Sequence, residues 1–564
     1  MSTTSTPASG RGFLSRVRNK THAPGDPQQS IEQMVGSLRK AAKVKIRTDV
    51  PNLRRVLSSD FHITGNNLSH IVVGDLGNRE AVVLVSEQLL GKPLHVDTRQ
   101  KLIAASYAIA FERIAHVSVI TDLNKAMNSN GADDKASDAK ALIEELIHAA
   151  IDDPSTDIHL CCREKTGMAL FRVHSRIYPN HQYGVEQSEQ IASYLFTHMS
   201  EPKTRSHNTF SLENKSMSCM IKTRVKGTEY KLRYKYIRMV DGWDVVIRLL
   251  PAETQNEQNQ TLESSGYEVS QAKLLAQCVS RSIGLIAILG PTGSGKSTTL
   301  KICMEADPNR MQRKRYSVED PVEYKIYAVS QISIQRDDHE DKLDSIKALN
   351  GTLLDVLRGD PDDVMVGETR DASTASIVAD FVMTGHKLYT TLHTSTAFGA
   401  ILRLNRLGLD RHILADRQFL SALVFQRLLP VMCDHCKVPA SAVLAPEKMQ
   451  LLEAKYHLDT AKIFCSKENG CSHCKGRGIT GSTVVAEIVA PDKVIRQFIA
   501  EGKDEQAETY WRESRKSPFD DPDMTGKTAY EHALYKISQG RIDPRDLERE
   551  FEPLELYELV EVPL

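Results

Sequence analysis

The feature that most constrains this chain is an apolar run that leads straight into a glycine-rich loop. The run Gly-Leu-Ile-Ala-Ile-Leu occupies residues 284–289. It is followed by Gly290, Pro291, Thr292, Gly293, Ser294, Gly295, Lys296, Ser297 and Thr298. In such a loop, glycines let backbone N–H groups turn toward phosphate oxygens, the lysine adds a positive charge, and the serine hydroxyl ligates Mg²⁺. The segment therefore predicts a strand, a loop and a helix that bind a nucleoside triphosphate; a chance glycine-rich turn is the alternative.

Charge and hydropathy limit the classes of partner. The 564 residues include 72 Lys and Arg against 73 Asp and Glu, so no nucleic acid partner is expected. No stretch reaches the roughly 18 consecutive apolar residues of a membrane-spanning helix, and the N-terminus lacks the apolar core of a secretory signal. We therefore expect a cytoplasmic protein, whose length suits three or four domains.

Composition divides the chain into a tail, two smaller domains and one large domain. Polar linkers are predicted at 124–140 and 253–265, where small and amide side chains dominate. The predicted regions are a disordered basic tail at 1–30, an N-terminal partner-binding domain at 31–123, a second domain at 140–252, and a large domain at 264–564 with a cysteine module at 430–480. A short helix that binds a partner or a membrane surface is the alternative for the tail.

Hydrophobic periodicity predicts a different sheet in each of the two larger domains. The second domain opens with a helix and continues with strands at 157–160, 169–177, 218–225 and 229–240. This pattern fits helices on a mostly antiparallel sheet. In the large domain, helices alternate with apolar strands at 285–289, 316–318, 364–366 and 388–392. That alternation predicts a parallel sheet with ligands at the carboxyl ends of its strands.

Acidic side chains follow two strands of the large domain. Glu319, Asp320 and Glu323 come after the second strand, where carboxylates can hold Mg²⁺ or accept a proton from an attacking water. Glu368 follows the third strand in the layout of a Walker B element, and we expect it to anchor Mg²⁺ together with Ser297. Alone, each acidic segment would be an ordinary turn or strand end. Because the phosphate loop predicts a bound nucleotide with Mg²⁺ at the same edge, both acidic segments are predicted to act on that ligand.

Two histidines flank the fourth strand of the large domain. His386 precedes this strand and His393 follows it. We expect both imidazoles at the edge of the sheet where the phosphates lie, with at least one of them sensing the γ-phosphate. For each histidine taken alone, a hydrogen-bonded structural residue is the alternative.

Four of the ten cysteines form two Cys-x-x-Cys pairs, Cys433 with Cys436 and Cys471 with Cys474. Without a secretory signal, such pairs favour a tetrahedral structural site, and zinc is the predicted ion. Reduced thiols and an iron–sulfur cluster are the alternatives. Cys465 lies nearby in the sequence and is not expected to be a ligand.

In their order along the chain, these motifs resemble the ATPases of type II secretion and type IV pilus assembly. The resemblance is carried by GPTGSGKSTTL, VEDPVEY, DPDDVMVGETRD, TGH and TLHT. It implies an α/β multidomain protein, in which a small N-terminal domain and a PAS-like α+β domain precede a RecA-like P-loop NTPase domain with a zinc-binding insertion. It also implies a homohexamer that hydrolyses ATP and docks on an inner-membrane platform protein, peripheral to that membrane on its cytoplasmic side.

The same resemblance assigns roles to individual residues. It implies that Glu323 is the general base, that Glu368 contacts Mg²⁺, and that Lys296 acts with Arg233 and Arg248 of the second domain to complete the ATP site. For the two arginines, a place on an exposed sheet surface is the alternative. The cysteine module favours pilus extension or secretion over pilus retraction.

Two other functions are alternatives at this point. A motor for DNA translocation, conjugation or DNA uptake would use a related engine, and DNA-stimulated hydrolysis would identify it. A nucleotide-gated scaffold without turnover is suggested by Leu354, which stands where the resembled family usually carries an arginine. The phosphate loop and all the acids are present, so we expect activity.

Overall fold

The computed structural model describes residues 27–45, 49–61, 63, 65–251, 260–334 and 342–562. The chain divides into two compact units, Met1–Asp138 and Ala139–Leu564. Of the tail predicted at 1–30, residues 1–26 lie outside the described part, and residues 27–30 begin the first helix, α1 (Pro27–Lys40). Among the described helices, none is long and apolar enough to cross a lipid bilayer.

A four-stranded sheet forms the centre of the first unit. Its elements after α1 are β1 (Arg55–Val56), β2 (Ile71–Gly77), β3 (Glu80–Val85), α2 (Pro93–Ala104) and β4 (Ala108–Ile114). The strands lie in sequence order, and β3 and β4 are parallel. Because side chains alternate along a strand, Val72 and Val82 join one apolar cluster while Ile71 and Val83 join another. The sheet is therefore covered by apolar side chains on both faces.

One helix of 36 residues, α3 (Val117–Asp152), contains the boundary between the two units. The prediction of a linker at 124–140 is therefore wrong, because no break in secondary structure occurs there. That segment is rich in alanine and lysine, which have high helix propensity, and it contains no proline and one glycine. Polar composition alone does not distinguish a coil from a helix.

The second unit begins with a six-stranded antiparallel sheet, which we call the middle domain together with the helices packed on it (residues 139–251). Its strands are β5 (Ser155–Arg163), β6 (Gly167–Val173), β7 (Arg176–Tyr183), β8 (Ser216–Val225), β9 (Thr228–Met239) and β10 (Gly242–Pro251). They lie in the order β7-β6-β5-β10-β9-β8. Alternate residues such as Ile158 and Ile247 pack against α3 and α4 (Val185–Tyr194). Helices on an antiparallel sheet are what the periodicity predicts.

One predicted strand of the middle domain, at 169–177, is a hairpin. Strand β6 ends at Val173 and β7 starts at Arg176, with these two residues paired. His174 and Ser175 form the turn, with φ angles of 48° and 68°. Two-residue turns with left-handed backbone usually contain glycine, asparagine or aspartate, so the His-Ser pair gives no turn signal in the sequence.

A seven-stranded sheet organises the remainder of the second unit, which we call the nucleotide domain (residues 260–562). Its strands and those of a small ribbon are β11 (Gly284–Leu289), β12 (Arg315–Glu319), β13 (Ser330–Ser333), β14 (Asp363–Val366), β15 (Lys387–Leu392), β16 (Leu420–Met432), β17 (Val438–Pro439), β18 (Phe464–Cys465) and β19 (Ile479–Val489). The large sheet has the order β13-β12-β14-β15-β11-β16-β19, and β17 pairs with β18. All its neighbours are parallel except β16 and β19. The predicted parallel sheet is confirmed.

Helices cover both faces of this large sheet. They are α5 (Leu262–Ser265), α6 (Val269–Val279), α7 (Lys296–Ala306), α8 (Lys342–Leu357), α9 (Ala372–Met383), α10 (Gly399–Arg406), α11 (Arg411–Leu414), α12 (Pro446–Ala454), α13 (Lys493–Glu501), α14 (Asp504–Arg512), α15 (Ala529–Ser538) and α16 (Pro544–Glu550). Along β11, Leu285 and Leu289 join one apolar cluster while Ile286 and Ile288 join another. Because parallel strands run the same way, the carboxyl ends of β11, β12, β14 and β15 share one edge of the sheet.

Candidate functional site

The glycine-rich loop connects β11 to α7 in the conformation that its sequence predicts. Gly290, Gly293 and Gly295 have φ angles of 139°, 79° and 83°, where residues with a side chain are strained. Gly290 is also confined by space, since a Cβ atom there would lie 2.4 Å from the carbonyl oxygen of Gln426. Helix α7 starts at Lys296, directly behind the loop. The N–H groups at its first turn therefore face the carboxyl edge of the sheet, where an anion can bind.

Lys296 folds back over this loop. Its Nζ atom donates hydrogen bonds to the carbonyl oxygens of Gly290 at 2.9 Å and Pro291 at 2.8 Å. Burial lowers the pKa of Lys296, while the nearby carboxylates of Glu368 and Glu323 act in the opposite direction. The ammonium group thus contacts the loop and lies within electrostatic reach of the two acids to which the family resemblance gives a catalytic role.

Two residues that sequence reasoning missed support the loop from behind. The Nε2 atom of Gln426, on β16, donates to the carbonyl oxygen of Ser294 at 2.6 Å. Its Oε1 atom accepts from the hydroxyl of Tyr267 at 2.6 Å. Tyr267 and Gln426 are buried and stand 159 positions apart. No local pattern in the sequence could have paired them.

Glu368 is held at the carboxyl end of β14 by an arginine and a histidine side chain. Its Oε2 atom accepts a hydrogen bond from Arg370 at 2.6 Å, and its Oε1 atom lies 3.3 Å from Nε2 of His393. Burial alone would raise the pKa of Glu368, but the hydrogen bond from Arg370 and the charges of Arg370, His393 and Lys296 hold it below its ordinary value. Glu368 is therefore ionised at neutral pH, as a Mg²⁺ ligand must be. Sequence reasoning assigns no role to Arg370, two residues away.

The three acids after β12 have different surroundings. Glu319 is buried and accepts hydrogen bonds from Ser317 at 2.7 Å and Gln331 at 3.1 Å, and burial raises its pKa. Its carboxylate is thereby engaged in supporting its own segment. Asp320 contributes negative charge beside Arg370. Glu323 is half-buried and lies within electrostatic reach of Lys296 and of Arg248 in the middle domain.

The two arginines predicted from the resemblance are neighbours on the middle-domain sheet. Arg233 on β9 and Arg248 on β10 are paired in register. Arg233 is exposed, whereas the Nε atom of Arg248 donates to Oδ1 of Asp157 at 3.0 Å. Burial lowers the pKa of Arg248, but the negative charges of Asp157 and Glu323 outweigh this effect and raise it. The structure therefore brings Arg248 toward the acidic segment of the nucleotide domain.

The two histidines of the fourth strand lie at opposite ends of it, so the expectation that both reach one edge is wrong. His386 precedes β15, and its carbonyl oxygen accepts a hydrogen bond from the N–H of Gly284, where β11 begins. Its Nδ1 atom lies 3.0 Å from the carbonyl oxygen of Phe381. Only His393 stands at the edge that carries the phosphate loop. Residues before and after a parallel strand are separated by its full length, about 20 Å for six residues.

Ion pairs connect the middle domain to the cysteine module. Asp153, which follows α3, pairs with Arg477 and, at 3.1 Å, with Lys475. On the next hairpin, Arg176 pairs with Asp546 of α16 at 2.6 Å. These contacts hold the antiparallel sheet of the middle domain against the nucleotide domain, and Arg248 lies within electrostatic reach of Glu323.

The four paired cysteines form a cluster with the dimensions of a zinc site. Cys433 directly follows β16, and its Sγ atom lies 3.9 Å from that of Cys471. The Sγ atom of Cys474 lies 3.8 Å from those of Cys436 and Cys471. A tetrahedron of thiolates with Zn–S bonds of about 2.3 Å has edges of about 3.8 Å, so these residues fit that ion. Cys465 lies outside the cluster.

Comparison with known proteins identifies the family. A profile of the family described as "Type II/IV secretion system protein" matches residues 132–539, which is more than half of the chain. The chain belongs to this family. Type II secretion system protein E of Pseudomonas aeruginosa is 30% identical over 442 residues, covering 76% of this chain and 83% of that protein.

Two further relatives extend the comparison. The type IV pilus assembly ATPase PilB of Thermus thermophilus is 29% identical over 405 residues, which cover 71% of this chain and 42% of that protein. A solved structure of the pilus retraction motor PilT with bound ADP is 24% identical and covers 73% of this chain and 98% of that one, with a TM-score of 0.46. Membership of a family of secretion ATPases gives the loop at Lys296 its expected ligand, a nucleotide with Mg²⁺.

Proposed function

We propose that this secretion-family member is a motor that hydrolyses ATP to drive type IV pilus assembly or type II protein secretion. The single observation that carries the proposal is that Lys296, Glu323 and Glu368 follow the carboxyl ends of three parallel strands of one sheet, with Arg248 within electrostatic reach of Glu323. Phosphoryl transfer relies on positioned charge more than on covalent chemistry, and this edge supplies charge of both signs. The motor is a homohexamer, docked on an inner-membrane platform protein from the cytoplasmic side.

Each residue at the edge has a role in this proposal. Residues 290–298 bind the phosphates of ATP, and Lys296 exchanges its two loop carbonyls for phosphate oxygens. Ser297 and Glu368 hold Mg²⁺, while Glu323 accepts a proton from the attacking water. Arg248 and Arg233 stabilise the negative charge that develops on the transferring phosphoryl group.

The cysteine module has a structural role in this proposal. Four thiolates around one Zn²⁺ leave no position open for a substrate, so the ion fixes the chain and takes no part in hydrolysis. It closes the end of the hairpin formed by β16 and β19, whose strands lead to Cys433 and away from Cys474. A DNA-translocating motor is not favoured, because the sequence offers no excess of positive charge.

Mg²⁺-dependent ATP hydrolysis by the full chain tests the proposal. We expect turnover in the wild type, loss of nucleotide binding and turnover in Lys296→Ala, and retained binding with at least about a hundredfold slower turnover in Glu323→Gln. Lys273→Ala and Glu263→Gln are matched controls on exposed positions. Near-normal turnover in Glu323→Gln would reject that residue as the base, and stimulation by DNA would favour the other motor class.

A further inference from the structure

Four charged residues lie in one row across the middle-domain sheet. Arg233 on β9 pairs in register with Arg248 on β10, Arg248 pairs with Asp157 on β5, and Asp157 pairs with Arg172 on β6. Side chains of directly opposed residues project from the same face of a sheet. The row therefore places one carboxylate among three guanidinium groups.

Asp157 is the buried member of this row. Its side chain is 6% exposed, against 39% for the side chain of Arg248. Its Oδ1 atom accepts from Nε of Arg248 at 3.0 Å, and its Oδ2 atom accepts from the hydroxyl of Thr156 at 2.8 Å and lies 4.0 Å from Nε of Arg172. A buried carboxylate needs cationic partners, so the contact between Asp157 and Arg248 limits where the guanidinium can lie.

The position of Arg248 matters because of what it faces. Besides burial and Asp157, the charges of Glu323 and Tyr324 affect the pKa of Arg248. Both residues belong to the nucleotide domain, so Arg248 lies within electrostatic reach of that domain. The bond to Asp157 uses Nε, so it does not consume the hydrogen-bonding capacity of the two terminal amino groups. These groups are the ones that can contact two phosphate oxygens at once.

We propose that Asp157 is a positioning residue, which aims the terminal amino groups of Arg248 at the nucleotide edge. In this proposal Asp157 contacts neither the nucleotide nor Mg²⁺ and acts through Arg248. This inference rests on the proposed function. It differs from a purely structural role for Asp157, in which the carboxylate would stabilise the sheet. In that case the effect of removing the carboxylate would not depend on whether Arg248 is present.

A double-mutant cycle separates the two roles. The proteins are full-length wild type, Asp157→Asn, Arg248→Ala and the double variant, and Asp244→Asn is the matched control. Asp244 lies on the same sheet and pairs with Arg163 at 2.8 Å. For each protein, we would measure kcat and KM for ATP, the melting temperature, and the affinity for MgADP with aluminium fluoride, a mimic of the transferring phosphoryl group.

We expect Asp157→Asn to lower kcat and the affinity for the mimic about tenfold, with KM changed less than about threefold. In the Arg248→Ala background the same substitution should have no further effect, and Asp244→Asn should resemble wild type. Equal losses from Asp157→Asn in both backgrounds would overturn the inference and leave the proposed function intact. A wild type that binds neither ATP nor the mimic would overturn both.

Discussion

The Nε2 atom of His393 lies 3.3 Å from Oε1 of Glu368, whereas His386 lies at the other end of the same strand beside Gly284. The two histidine motifs are seven residues apart in the sequence and serve opposite edges of one sheet. His393 therefore orients a carboxylate that we assign to Mg²⁺, while His386 holds the turn that leads into β15.

We expect His393→Ala to lower kcat about tenfold, because a side chain that orients a metal ligand typically contributes that much to activity. His386→Ala is the matched control, since it removes an imidazole at the other end of β15, away from the edge that carries the phosphate loop. ATP turnover at saturating Mg²⁺ measures both. Equal losses in the two variants would contradict the assignment of His393 to the site.

Support of the phosphate loop from behind can be tested at Tyr267. Tyr267→Phe removes the hydroxyl that donates to Gln426 and leaves a buried amide oxygen unsatisfied, at a cost of about 1–3 kcal/mol. We expect weaker ATP binding, by about threefold or more, because Gln426 fixes the carbonyl of Ser294. Titration with a fluorescent ATP analogue measures this. Tyr327→Phe, which alters an exposed tyrosine, should bind ATP like wild type. Equal ATP affinity in both variants would show that the hydroxyl of Tyr267 does not support the phosphate loop.

Stability should depend on pH through Glu487. Burial raises the pKa of this carboxyl from 4.5 to about 7, although the N–H groups of Ala397 and Ala529 donate to it. The folded state thus favours protonated Glu487, and its contribution to stability is fully present below pH 4.5 and lost as the pH rises through 7. We expect Glu487→Gln to remove up to roughly 3 kcal/mol of this pH dependence.

Urea unfolding of wild type and Glu487→Gln between pH 4.5 and 8 measures this effect. The difference in unfolding free energy, variant minus wild type, should rise with pH across that range. Glu505→Gln, at an exposed position, is the control and should follow wild type at every pH. Parallel curves for wild type and Glu487→Gln would exclude Glu487 as the source.

The cysteine cluster predicts one zinc ion per chain. We expect Cys474→Ser to lose that ion and to melt at least about 5 °C lower, since binding of a structural metal contributes directly to folding. Cys465→Ser should keep the ion, because its thiol lies outside the cluster. Elemental analysis and thermal unfolding on the same samples decide this. Iron in place of zinc, with the visible absorbance of a cluster, would point to an iron–sulfur site.

The parts of the fold that the sequence predicts are those with a strong local pattern. The apolar run of β11 and the loop that ends at Lys296 are recognisable because each residue type there is explained by its immediate neighbours in the sequence. The His174-Ser175 turn is not, since neither residue signals left-handed backbone. Helix α3 is missed for a related reason, as its polar middle resembles a linker.

The site divides in the same way between local and distant relationships. Glu368 and Cys433 belong to short sequence motifs that predict their chemical role. Asp157 and Gln426 act on groups that are distant in sequence, with Gln426 lying 132 positions from Ser294. Their role depends on strand register and order in the sheet, which periodicity alone does not give.

The long hairpin of β16 and β19 joins the two chemically distinct parts of the nucleotide domain. Gln426 contacts the phosphate loop near the middle of β16, and the same strand continues to Cys433 in the metal cluster. Seven residues of strand span roughly 23 Å, and β16 pairs with β19 over this length with one irregularity between Val431 and Met432. The strand pair thus links the phosphate loop, which Gln426 contacts, to the cysteine cluster at its tip. A spectroscopic label beside Cys433 would therefore report, from a distance, how the phosphate loop responds to ATP.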